Sequence, residues 1–276
     1  MKPTHRVFCA LIAWLGLFAS AQSAGAASLA EVMDTADGSA AASPPCLALP
    51  ETEEVPATLP SGRCAGAIVA RLYLGLLRDR DRLALMRDGA AYFREWLEHL
   101  QPRLDQGGRS PAQSLMAEVE RKRLQRREAE VARELRHAEA FFVRVMASDP
   151  KDFGSPAVAD GALPEDETRA LAALAARDDI PLEERAAAET ALRLAWIDYD
   201  SAQQEAALLG EQHRIARQLL GALEQQFEYS AASFIDVRRA LVGLVNTEEG
   251  LIHARVRETT LKIRILELLD RRNAVE

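Results

Sequence analysis

Glu134-Leu-Arg-His137 is the single Glu-x-x-His of the chain, the spacing that sets a carboxylate and an imidazole on one helix face and that di-iron helical bundles use. Such a centre needs two of these motifs and two further glutamates, yet His99, His213 and His253 have no matching glutamate three residues before them. The sequence holds no Gly-rich phosphate loop, no G-x-S-x-G elbow and no His-Glu-x-x-His zinc pair. Asp198 and Asp200 flank Tyr199, and residues two apart on a helix do not share a face, so they read as solvated charges rather than a working carboxylate pair. Cys46 and Cys64 enclose Pro50, Pro56 and Pro60. In an oxidising compartment they read as a disulfide closing a loop, with two unpaired thiols as the alternative. Two sulfurs without neighbouring histidines fall short of a four-ligand metal set. The chemistry to expect is therefore that of protein contact: no enzyme, no metal and no cofactor.

The compartment follows from the N-terminus. Lys2, His5 and Arg6 precede an apolar run from Val7 to Phe18, and Ala24 and Ala26 have the spacing of an A-x-A cleavage site. Residues 1–26 thus read as a signal peptide, and the periplasm as the destination. No later run is apolar for the roughly 20 residues that a membrane helix requires. With 34 Lys and Arg against 42 Asp and Glu, the net charge of -8 leaves no basic excess to neutralise phosphates, so nucleic acid is not an expected partner.

The elements that would carry contact residues are helices. Only 5% of the 276 residues are aromatic, and Ala, Leu, Glu and Arg dominate, residues that lose little on entering a helix. The chain is expected to be all-α, two long antiparallel coiled-coil hairpins with no membrane β-strands. Residues 27–64 read as a Pro- and Ala-rich linker or cap, 65–150 as the first hairpin, 151–181 as a connector and 182–276 as the second hairpin. In the first hairpin Ile68, Leu72, Leu76, Leu83, Met86, Phe93 and Leu97 mark one stripe up to Pro102 and Gly107–Gly108, which are expected to end the helix. Leu115, Val119, Ala129, Ala132, Leu135, Ala138, Phe142 and Val145 mark the next. Pro181 suits the first position of the third long helix. The fourth carries Val237, Leu241, Leu244, Leu251, Val256, Ile263, Leu266 and Leu269 near a 3.5-residue seam. Trp96 and Trp196 fall within these patterns as core or hairpin-interface residues. The charged run from Glu120 to Glu128 reads as a solvent face with i,i+4 pairs.

The two hairpins read as one unit repeated. A shift of 123 positions sets Ser110 on Ser233, Ala117 on Ala240, Phe142 on Ile265 and Val145 on Leu268 without a gap.

Gly108-Arg-Ser-Pro-Ala-Gln-Ser-Leu-Met-Ala-Glu-Val-Glu-Arg and, more closely, Phe227-Glu-Tyr-Ser-Ala-Ala-Ser-Phe-Ile-Asp-Val-Arg-Arg-Ala240 resemble the recurring F-x-x-G-x-x-S-x-x-D-V-x-x-A turn of TolC-type outer-membrane factors. The resemblance covers roughly 65–150 and 182–272 and leans towards the outer-membrane components of type I secretion. It implies a component of an export assembly, for type I secretion or efflux, whose hairpins build a periplasmic tunnel as a trimer. The hairpin turns would meet a periplasmic adaptor protein that leads to the other subunits of the export system. On matching positions, the adaptor-contact turns are Gly107, Gly108, Arg109, Ser110 and Gln113 in the first copy, and Ser230, Ser233 and Asp236 in the second. Turn chemistry accounts for the same residues as plain caps: Gly reverses the chain, Ser caps free N–H groups and Asp suits a helix start. Both readings stand at this point.

Two departures matter. The family repeat carries two membrane strands of about nine to eleven alternating residues, and no such segment occurs here. Ser230 stands where the family has Gly, and Gln113 where it has Asp. The alternative to an export component is a stand-alone periplasmic coiled-coil scaffold or binding protein.

Overall fold

The computed structural model describes residues 64–105, 111–146, 150, 163–178, 180–229 and 231–269. The expected signal peptide, Cys46 and the side chain of Cys64 lie outside the described residues. Five helices are described: α1 (Cys64–Asp105), α2 (Pro111–Met146), α3 (Glu167–Ala175), α4 (Leu182–Glu228) and α5 (Phe234–Leu268). The 42 residues of α1 and 47 of α4 make arms of roughly 60–70 Å at 1.5 Å per residue.

α1 and α2 form one antiparallel hairpin and α4 and α5 the other. The hairpins meet through α1 against α5, so the layer runs α2–α1–α5–α4 with α2 and α4 at its edges. α3 packs on the far end of α4. The 123-residue shift carries the end of α1 at Asp105 onto the end of α4 at Glu228, and the start of α2 at Pro111 onto the start of α5 at Phe234. All-α architecture and paired hairpins are thus as the sequence indicates, and no strand occurs among the described residues.

α1, read from the sequence as running from about 65 to 104, continues past Pro102 and ends at Asp105. Two sequence expectations need correction. In α2, Leu115 and Val119 are not core residues but are 67% and 64% exposed. The buried row is Ala117, Glu120, Leu124, Val131, Leu135 and Phe142, which keeps a heptad spacing but points the other way, towards α1. The apolar residues at the start of α2 lie on the opposite side, at the edge of the layer. Pro181, for its part, occupies the cap position and not the first helical turn.

The core comes in three blocks. Met86, Phe93, Ala117, Leu124, Phe227, Phe234, Val237 and Leu241 join all four long helices near the turns. Tyr73, Leu76, Val131, Leu135, Phe142 and Leu266 fill the middle of the α2–α1–α5 side towards the other end. Ala170 and Leu174 of α3, Leu192 and Ala195 of α4, and Ile265 and Leu268 of α5 close the base. Arg177 donates to the backbone O of Leu268 at 2.8 Å, satisfying a carbonyl that α5 leaves free at its end and placing a cation at the negative pole of the helix. At Gly89, where α1 lies between α2 and α5, an added Cβ would stand 3.1 Å from Leu124 Cδ1 and 3.5 Å from Val245 Cγ2, so the close approach depends on a missing side chain.

Between the core blocks runs a polar belt. Glu249 of α5 accepts from Arg82 Nε of α1 at 3.2 Å and pairs with Arg127 of α2. Arg82 also meets Asp79 at 3.2 Å, and Arg78 donates to Asp79 at 2.9 Å. Nearer the turns, Arg238 Nη1 of α5 meets Glu120 Oε1 of α2 at 2.7 Å. Glu120 is therefore buried and paired across the hairpins, unlike the solvated face read from its charged run.

The base holds a less comfortable pair. Glu267 Oε2 and Arg264 Nη1 lie 3.8 Å apart, too far for a hydrogen bond, and Glu267 Oε1 has no partner among the described residues. Burial pushes the Glu267 carboxyl up to about 8 despite the opposing pull of Arg264, and burial lowers Arg264. An unfolded glutamate ionises near ~4.3, so above that pH the unfolded chain holds fewer protons and stability falls until about pH 8. Glu267→Gln should flatten that slope, giving a variant more stable than the parent at pH 8 by on the order of 3 kcal/mol and equal to it at pH 4. Urea melts at pH 4, 6 and 8 test this; parallel slopes in both proteins would reject it.

Candidate functional site

The turn end of the bundle is built from α1, α4 and α5. Phe227 is the penultimate residue of α4 and Phe234 the first of α5. Both close on Trp96 of α1, with ring centroids 4.8 and 5.7 Å away. Tyr92 stacks on Trp96 at 6.2 Å and meets Phe93 edge-on at 6.4 Å. Tyr92 also donates its hydroxyl to Glu224 of α4, and burial, with the Glu224 charge beside it, holds the phenol far above its usual range. Burial likewise raises Glu224. A rigid aromatic platform thus supports the second turn and fastens it to the first hairpin.

The second turn itself is tightly closed. The N–H of Ala231 donates to Gln226 O at 2.8 Å, the six-to-one bond of a Schellman ending. Ser233 caps α5: its Oγ accepts from the Asp236 N–H at 3.2 Å, while Asp236 Oδ2 accepts from the Ser233 N–H at 3.1 Å and from its hydroxyl at 2.6 Å. This reciprocal capping box satisfies two helix-start donors. The hydrogen bonds from the Ser233 side chain and backbone hold the Asp236 carboxyl below its usual range. Ser233→Ala should cost about 1 kcal/mol, visible as a lower melting midpoint, with little loss for Ser233→Asn; equal losses for both would mean that the cap contributes nothing.

Of the positions singled out from the sequence, Ser233 and Asp236 stand together in this box. Gln113 occupies the third position of α2, the counterpart of Asp236 in α5, and its Oε1 has no partner among the described residues. Gly107, Gly108, Arg109, Ser110 and Ser230 lie outside the described residues. Tyr229, not singled out before, projects from the turn at 83% exposure. Trp96, expected in a core or interface, proves to be the centre of the platform. Phe227 and Phe234, seven residues apart on either side of a five-residue break, were the legible signal for it.

The titratable residues weighed from the sequence stand apart from one another. Glu134 pairs loosely with Arg82 at 3.7 Å and His137 is exposed. His213 is buried with Nε2 3.5 Å from Glu248, within the polar belt. Asp198 and Asp200 are exposed. Among the described residues no group of three His, Cys, Asp or Glu could hold a metal ion, and no helix is long and apolar enough to cross a membrane.

No protein-family model and no curated protein matches this sequence. Solved structures do match it in fold. A membrane protein from Pseudomonas aeruginosa superposes with a TM-score of 0.58 at 13% identity, the outer-membrane protein VceC from Vibrio cholerae with 0.54 at 14%, and the outer-membrane channel OprN with 0.59 at 13%. Each match covers 74% of this chain. The chain spans about two thirds of the length of those structures: 65%, 69% and 65%.

Proposed function

From the fold it shares with the helical part of TolC-like outer-membrane channels, we propose that this protein is a periplasmic component of an export assembly, serving type I secretion or efflux. It acts by contact rather than by catalysis. Copies of the chain form the wall of a tunnel associated with the outer membrane. Its turn end receives the helical hairpin of a periplasmic adaptor protein.

The observation that carries this reading is the turn end. The helices leading to both turns share one core block, and Trp96, Phe227 and Phe234 brace the second turn from beneath. An isolated hairpin needs only a cap at its turn. Here rings from both hairpins hold the second turn against α1, the kind of preorganisation a docking site requires. Exposed Tyr229 supplies the kind of aromatic anchor that protein interfaces favour.

The test is a photocrosslinking pull-down from native envelopes, with the reactive group at Arg109 in one strain and Ser233 in another. Capture of a periplasmic adaptor from both positions supports docking. Capture of the chain itself alone, or of nothing, rejects it and leaves a helical scaffold.

A further inference from the structure

α1 and α2 pair in one antiparallel register, and that register carries a charge conflict. Tyr73 packs on Phe142 with ring centroids 5.8 Å apart. Fourteen residues on in α1 and fourteen back in α2, Arg87 Nε meets Glu128 Oε1 at 2.9 Å. Seven residues further along each helix, the same register sets Arg94 opposite Arg121. A cation thus faces an anion at one rung of the hairpin and a second cation at the next, where the two repel.

Both arginines border one cleft of about 340 Å³ between the helices, with Ala90 and Ala91 as small residues on its α1 side and Gln125 on its α2 side. Glu118 accepts from Arg121 Nε at 2.8 Å and from Nη2 at 2.6 Å, which fixes the plane of the guanidinium and leaves Nη1 to donate elsewhere. Arg94 is exposed, and its side chain has no ion pair or hydrogen bond among the described residues. Glu128 also lines the cleft but is held by Arg87. Asp88 lines it too, six residues from Arg94 and so about 9 Å away along the helix. The Arg94–Arg121 rung therefore sets two cations against one bonded carboxylate, Glu118.

We infer that this cleft binds a small molecule through a phosphate or carboxylate group held between Arg94 and Arg121. Guanidinium forks match such oxyanions with paired N–H donors, and an anion between the two arginines turns a repulsive rung into an attractive one. The Gln125 amide borders the same cleft and adds a neutral donor. The volume lies at the lower end of small-molecule sites, so the body that carries the anionic group has room along Ala90 and Ala91. Asp88 repels a second anionic group at the other end, which favours a ligand whose negative charge is gathered at one end. The site belongs to the first hairpin alone and goes beyond the proposed function, on which it does not depend.

Isothermal titration calorimetry of the purified full-length protein reads the site, with inorganic phosphate in one arm and malonate, a compact dicarboxylate, in the other, at neutral pH and constant ionic strength. At least one of the two should bind saturably. Arg94→Gln and Arg121→Gln should each weaken that binding by about tenfold or more, and Arg126→Gln, exposed on α2 outside the cleft, should leave it unchanged. Saturation by phosphate alone assigns a phosphoryl ligand, saturation by malonate alone a carboxylate, and saturation by both a site that reads any compact oxyanion. A second readout needs no ligand: Arg94→Glu rebuilds the rung in the pattern of Arg87 and Glu128, so at low salt the melting midpoint should rise by about 2 °C, with anion binding lost. No saturable binding in either arm, equal weakening by Arg126→Gln, or a midpoint of Arg94→Glu at or below the parent's would overturn the inference. The titration contains no adaptor, so its failure and the failure of adaptor capture at Arg109 and Ser233 are distinguishable.

Discussion

Trp96→Ala should destabilise the protein by about 3 kcal/mol, near the low end for an aromatic truncation because the indole is only partly buried. The loss has a definite location. Trp96 touches Tyr92, Phe227 and Phe234 together, so its removal opens a void where α1 supports both sides of the second turn. Amide exchange should quicken across 220–240 and change little across 258–268, whose packing belongs to the other core blocks. Trp196→Ala serves as the control: that ring meets Tyr199 edge-on at 6.0 Å at the opposite end. If Trp96→Ala speeds exchange equally at both ends, the platform is not a local unit. A preserved turn but lost adaptor capture in Trp96→Phe would instead assign the indole a role beyond packing.

Glu249→Ala is expected to cost a comparable amount, about 3 kcal/mol, for a different reason. Glu249 is the carboxylate that α5 sends across the hairpin seam to Arg82 and Arg127. Its side chain is 14% exposed, and those of Arg82 and Arg127 are 18% and 29% exposed. Breaking a largely buried pair leaves cations without compensation, and this dominates over the pair's own net worth. Arg82 retains Asp79 and Glu134, so the coupling should fall mainly on Arg127. A double-mutant cycle between Glu249 and Arg127 should show at least 1 kcal/mol of coupling, and replacing both with leucine should recover much of the loss. An additive cycle would mean that the belt is held by α1 alone.

Together these two positions describe how a thin layer of long helices keeps one shape. Each hairpin would hold by its own coiled-coil seam, but the angle between hairpins rests on α1 against α5. The aromatic platform fixes that seam near the turns and the polar belt fixes it midway. The proposed docking by the turn end would need this angle constant, since error at one end of a roughly 60 Å arm is carried to the other.

The helices, the turn positions and the repeat were legible because they depend on local chemistry. Ala, Leu, Glu and Arg choose helix over strand residue by residue, and Ser233 with Asp236 announces a helix start by spacing alone. The 123-residue shift holds at helix ends because both hairpins obey one period. What the sequence could not decide was which helix lies inside. An apolar row at heptad spacing reads alike whether it is buried or exposed, so Leu115 and Val119 read as core although they lie at the exposed edge. Glu120, in a run that reads as solvated, is buried because Arg238 of another hairpin arrives to meet it. The sequence by itself determined the elements and their ends. Only the tertiary structure decided the order α2–α1–α5–α4, because that order is set by contacts more than one hundred residues apart, such as Arg238 to Glu120 and Arg82 to Glu249, which no local period encodes.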